Sequence, residues 1–110
     1  MLYKYGEFTD NQIQQTKIYM RKQIFFLLLI VDPDTKDKYP NVDVDEAFGS
    51  LLSKFGGLNE ALLCPPELVR VISILEAARK EYHSKDFTYR KYRKLILDAG
   101  AEVLRIEEVE

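Results

Sequence analysis

The chain has 110 residues, a length that suits one domain able to bury an apolar core without a metal or disulfide staple. Hydrophobic residues make up 46 %, charged residues 31 %, and the net charge is −2. That balance argues against global disorder, and it leaves no overall field to attract nucleic acid or acidic lipid.

Cys64 is the single cysteine, so no internal disulfide forms and a reducing compartment is expected. The opening MLYKYGEFTDNQ lacks the basic-then-apolar order of a signal peptide. The longest apolar run, Ile24 to Val31, is far shorter than the roughly 20 residues a membrane-spanning helix needs. These features together point to a cytoplasmic protein with one domain over 1–110.

Residues 1–8 are aromatic-rich and suit a short arm or strand. Thr9 or Asp10 can cap a first helix that the pattern carries from about 10 to 31. Ile13, Met20, Ile24, Leu27, Leu28 and Val31 share its apolar face, while Lys17, Arg21 and Lys22 keep the other face wet in the first half. The segment IFFLLLIV is apolar all round, which suits a central helix or an oligomer contact, with a buried strand as the rival reading. Asp32-Pro33 stops the helix, since proline disfavours the α conformation in the residue before it.

A polar loop punctuated by Pro33 and Pro40 follows. Asp43 with Glu46 forms a capping-box pattern for a second helix over 43–56, carrying Val44, Ala47, Phe48, Leu51, Leu52 and Phe55 on one face. Gly56-Gly57 is expected to end it, with a short helical turn from Leu58 to Cys64. Pro65-Pro66 opens a third helix over 66–83, with Leu68, Val71, Ile72, Leu75, Ala78 and Tyr82 inward. Asp86 can cap a fourth helix over 87–107. Its stripe Tyr89, Tyr92, Ile96, Ala99, Val103, Ile106 is heptad-like and suits antiparallel packing, with Gly100 allowing close approach. The expected fold is all-α, a compact bundle of about four helices.

Chemical motifs are sparse. Asp32, Asp34 and Asp37 imitate part of a calcium loop, but the register puts Lys36 and Asp37 where an oxygen ligand and glycine belong. His83, the only histidine, falls at a helix C-terminus, where a solvated cation needs no function. Cys64, between Leu62-Leu63 and two prolines, reads as a small apolar filler, and nothing local supports a catalytic Cys64–His83 pair. Nucleotide-binding and metalloprotease signatures are missing. No enzyme activity, cofactor or metal is expected.

Charge is segregated along the chain. Residues 79–94 carry Arg79, Lys80, Lys85, Arg90, Lys91, Arg93 and Lys94 against two acids, a local net of +5, whereas 32–64 and 95–110 each come to −4. The segment YRKYRK could grip phosphates while its tyrosines stack on bases, although both tyrosines also belong to the apolar stripe. Cations in a helix's first turns oppose its dipole, which hints at an acidic partner. The leading expectation is a small cytoplasmic helical protein acting by protein–protein contact, as an adaptor, regulator or inhibitor. Phe25, Phe26, Leu29 and Ile30 are its candidate interface, and a homodimer is its simplest form. The rival is a nucleic-acid-binding module using the seven cations of 79–94.

Overall fold

The computed structural model describes residues 2–3, 6–7 and 9–106 and shows an all-α bundle of four helices. They are α1 (Asp10–Leu29), α2 (Val44–Ala61), α3 (Pro66–Tyr82) and α4 (Tyr89–Val103). A two-residue antiparallel ladder, β1 (Leu2–Tyr3) with β2 (Gly6–Glu7), precedes them, and one 3-10 turn, Lys36–Lys38, lies in the first loop. Among the described residues no helix is long and apolar enough to cross a membrane.

The apolar stripes meet in one core. Ile13, Met20, Ile24 and Leu27 of the first stripe are buried with Phe48, Leu51 and Phe55 of the second, while Leu28 and Val31 of that stripe are only half-buried and Ile30, outside it, is buried instead. Leu68, Val71, Leu75 and Ala78 join them from α3, and Tyr92, Ile96, Ala99, Val103 and Ile106 from the fourth stripe. Leu52 is only half-buried at the margin. α4 packs most extensively on α3 and next on α1. Specific bonds fix the directions. Arg70–Glu102 and Glu81–Thr88 run α3 against α4, Asp45–His83 runs α2 against α3, and Tyr92–Leu27 with Tyr89–Asp32 joins the start of α4 to the end of α1. Neighbouring helices are therefore antiparallel, as the heptad-like stripe implied.

The caps follow local chemistry. Thr9 closes a full capping box with Gln12, its Oγ1 accepting from the Gln12 N–H at 3.1 Å and its own N–H donating to Gln12 Oε1 at 2.8 Å. Asp43 accepts from the Glu46 N–H at 3.0 Å. The fourth cap differs from expectation: Thr88, not Asp86, accepts from the Lys91 N–H, so α4 begins at Tyr89.

The strand reading of IFFLLLIV is wrong, because Ile24, Leu27 and Ile30 recur at helical spacing and all three are buried. α1 ends at Leu29, two residues short of expectation, since the Val31 and Asp32 N–H groups both turn to the Leu28 carbonyl ahead of Pro33.

The largest correction concerns α2, which runs through Gly56-Gly57 to Ala61. Two interior glycines cost about 1 kcal/mol each relative to alanine. The spacing Phe48, Leu51, Phe55, Leu58, Leu62 continues across them, and burying Leu62 contributes about 1.5–3 kcal/mol. The helix closes instead with the Leu63 N–H on the Glu60 carbonyl and the Cys64 N–H on the Asn59 carbonyl, a Schellman closure with leucine where glycine is usual. Leu63 and Cys64 accordingly take φ of 63° and 56°, a conformation that side-chain-bearing residues resist. Cys64 is exposed there and is not the apolar filler expected.

These glycine and leucine positions are misallocated for stability. Gly56→Ala adds a Cβ that meets nothing within 4 Å and should stabilise by about 0.5–1 kcal/mol. Leu63→Gly, at a side chain 60 % exposed, should stabilise by about 1 kcal/mol. Urea melts check both, and a loss of stability in either would contradict the assigned α2 terminus.

Candidate functional site

The tyrosines of YRKYRK set the site by pointing inward. Tyr92 is fully buried and its hydroxyl donates to the Leu27 carbonyl at 2.7 Å, an acceptor left over at the end of α1. Burial pushes its phenol pKa up. Tyr89 donates to Asp32 Oδ2 at 2.9 Å, and burial followed by that hydrogen bond pushes it up to about 12. Asp32 also accepts from the Asp34 N–H at 2.8 Å, so its carboxylate closes the end of α1.

With Tyr92 inward, helical geometry turns Arg90, Lys91, Arg93 and Lys94 outward, and all four are exposed. They flank an open groove of about 800 Å³ together with Thr88, Leu97 and Asp98. Lys94 pairs with Asp98 at 3.0 Å; the first turn of α4 carries no acid. Cations at positions 2, 3 and 5 of a helix add to the positive end of its dipole. At this end of α4, Arg90, Lys91 and Arg93 have no ion-pair partner among the described residues.

The seven cations of 79–94 do not form one surface. Arg79 is diverted to α2, its Nε donating to Asp45 Oδ1 at 3.1 Å and its Nη2 to the Asp45 carbonyl at 3.2 Å. Lys80 and Lys85 are exposed but do not line the groove. His83 is no isolated solvated side chain: its Nε2 lies 2.7 Å from the same Asp45 Oδ1. The hydrogen bond from His83, then that from Arg79, holds the Asp45 carboxyl below the usual carboxylate range. His83 caps the C-terminal end of α3 while Cys64 precedes its start, so the length of α3 puts them about 25 Å apart and they form no pair.

The four residues of the apolar candidate interface fan out. Ile30 is buried in the core, Phe26 packs edge-on against Tyr39 at 5.3 Å, and only Leu29 is exposed. Phe25 is half-buried beneath the Arg21 guanidinium, 5.1 Å from its ring centroid. Its far edge fills the space where a side chain at position 100 would stand, since a Cβ on Gly100 would lie 2.6 Å from Phe25 Cε1.

Beside Phe25 is a second hollow of about 270 Å³, lined by Gln14, Lys17, Ile18, Arg21, Lys22 and Leu104 as well. Sequence spacing revealed the α1 cations but not this hollow, because Leu104 comes from a helix end some eighty residues later. Among the described residues no group of three or more His, Cys, Asp or Glu side chains is placed to hold a metal ion. No family model matches the chain, and searches of curated proteins and of solved structures find no similar protein.

Two measurements probe these contacts. Gly100→Ala should destabilise by about 1 kcal/mol, the clash with Phe25 outweighing the better helix former. In a Phe25→Ala background the same change should become neutral or stabilising, and additive effects would show that ring and glycine do not meet. At Asp45 the folded pKa is depressed, so its contribution is present above the unfolded value and is lost as pH falls through the folded one. Asp45→Asn should therefore be less stable than the parent near pH 5.5, with the gap closing towards pH 3. Urea midpoints that differ equally at both pH values would refute this linkage.

Proposed function

We propose that the chain is a non-catalytic binding protein, a cytoplasmic adaptor, regulator or inhibitor, and that the outer face of α4 docks an acidic segment of a partner protein. The observation that carries this is the set Arg90, Lys91, Arg93 and Lys94, all exposed along one groove at a helix start with no acid in its first turn. Holding Arg90 and Lys91 in the first turn opposes the helix dipole by about 0.3–1 kcal/mol each, a cost that an acidic partner removes. Leu97 and the aliphatic stems of the cations give the groove an apolar floor suited to side chains of a protein ligand. Charge would steer the encounter and the floor would select among acidic partners.

The nucleic-acid reading has less support. Tyr89 and Tyr92 are engaged by Asp32 and Leu27, so the rings interleaved with the cations are withdrawn from base stacking. Diversion of Arg79 also shortens the basic track. Self-association through Phe25, Phe26, Leu29 and Ile30 is weakened in the same way, because one of the four is buried and two are half-buried.

The test is fluorescence polarisation with labelled acidic-aliphatic peptides, single-stranded RNA and duplex DNA at low and moderate salt. Peptides rich in Glu and Leu should bind. Arg90→Glu with Lys91→Glu should weaken them by at least about tenfold, worth roughly 1.4 kcal/mol, without changing the helical circular dichroism. Tighter, steeply salt-dependent binding of RNA or DNA would overturn the proposal in favour of a phosphate-binding surface. Undiminished peptide binding by the double variant would move the site elsewhere.

A further inference from the structure

The hollow between α1 and the C-terminal end of α4 is separate from the basic groove and has a different character. Its walls are apolar: Phe25 is held in place by the close approach at Gly100, and Ile18 and Leu104 remain 48 % and 55 % exposed. Its rim is cationic, with Lys17, Arg21 and Lys22 within two turns of α1. None of the three has an ion-pair partner among the described residues. Arg21 Nε is buried with no hydrogen-bond partner. A buried donor without an acceptor is destabilising, the more so on a charged group. The guanidinium nonetheless lies over the Phe25 ring, a favourable cation–π contact.

Apolar walls, a guanidinium stacked on the Phe25 ring and two flanking ammonium groups together define the chemistry of an occupant. It must present an anionic head to Arg21 and an apolar body to Ile18, Phe25 and Leu104. The volume of about 270 Å³ lies just under the roughly 300 Å³ at which ordinary small-molecule pockets begin, so the body is short. We infer that this hollow is a binding site for a small apolar monocarboxylate, of the size of a medium-chain fatty acid or an aryl carboxylate. A planar carboxylate matches the fork of a guanidinium, and the lysines add charge without imposing geometry. A ligand there would join α1 to the end of α4 and raise the melting temperature in a concentration-dependent way.

The test uses octanoate, with acetate (head without body) and octanol (body without head) as comparison arms. Binding is followed by thermal shift and by amide chemical shifts in two-dimensional NMR of the full chain. Octanoate should move the amides of 17–25 and 100–105 and bind at least about tenfold tighter than either comparison compound, a difference of roughly 1.4 kcal/mol. Arg21→Gln and, independently, Leu104→Ser should each weaken octanoate by about fivefold or more while leaving the α4 basic face and its peptide binding intact. The exposed Leu104 makes the second variant safe for folding. Octanol binding as tightly as octanoate, shifts scattered over the surface, or unchanged affinity in both variants would each overturn the assignment.

Discussion

The hydroxyl of Tyr92, donated to the Leu27 carbonyl, is the contact on which the arrangement of the other parts depends. A helix end leaves carbonyls without partners, and an unmet carbonyl inside a core costs about 1–3 kcal/mol. α1 meets this demand piecewise. The Leu28 carbonyl takes the Val31 and Asp32 N–H groups, the Leu29 carbonyl takes the Thr35 hydroxyl at 2.8 Å, and the Leu27 carbonyl receives a side chain from another helix, 65 positions away. Tyr92 can do this only because its ring fills the core, edge-on to Phe48 and Phe87 and tilted against Tyr82 and Tyr89. One residue thus supplies both apolar volume and a satisfied polar tip, the combination that makes a fully buried tyrosine tolerable.

That anchor dictates the electrostatics. Once position 92 faces inward, positions 90, 91, 93 and 94 lie roughly 100–200° away around the helix and must face outward. The cations are therefore exposed as a consequence of the tyrosine register. The other end of α4 is treated differently. Glu102 is 7 % exposed and carries two arginines, with Arg70 Nε on Oε1 at 2.6 Å and Arg105 Nη1 on Oε2 at 3.3 Å. A carboxylate removed from water needs such partners to hold its charge. The acidic half of the last helix is in this way partly neutralised internally, while Arg90, Lys91 and Arg93 of the basic half have no ion-pair partner among the described residues and only Lys94 is paired, with Asp98. The sequence dipole survives folding chiefly at the start of α4, where it can act over a distance of about a Debye length.

Residue spacing made much of this fold readable, and the reasons for the exceptions are specific. The four stripes, the caps at Thr9 and Asp43, and the antiparallel habit of the last helix were legible because burial at 3.6-residue period and local hydrogen bonding are encoded within a few positions. The end of α2 was misread because glycine is a weak local signal. Burial of Leu58 and Leu62 together offsets the cost of two exposed glycines, and the left-handed corner fell on Leu63 and Cys64, where no rule of composition would put it. The extent of the basic surface was misread because Arg79 and His83 answer to Asp45, more than thirty positions earlier. The hollow beside Phe25 was invisible for the same reason, since it exists only once Leu104 and Gly100 are brought to α1.

The interface between α1 and α4 therefore changes character along its length. At the end of α1 it is a polar closure made by Tyr89 and Tyr92. In the middle it is a steric fit of the Phe25 ring against Gly100. Beyond that it opens into the cation-rimmed hollow at Ile18 and Leu104. Close packing at the middle keeps Arg21 over the ring, and a ring free to swing would release the guanidinium to water. The absence of a side chain at position 100 is thus a condition for the hollow as well as for the packing. It also separates the two candidate surfaces physically. The groove at the start of α4 depends on the tyrosine closure and on charge, whereas the hollow depends on the glycine contact and on shape, so damage to one need not propagate to the other.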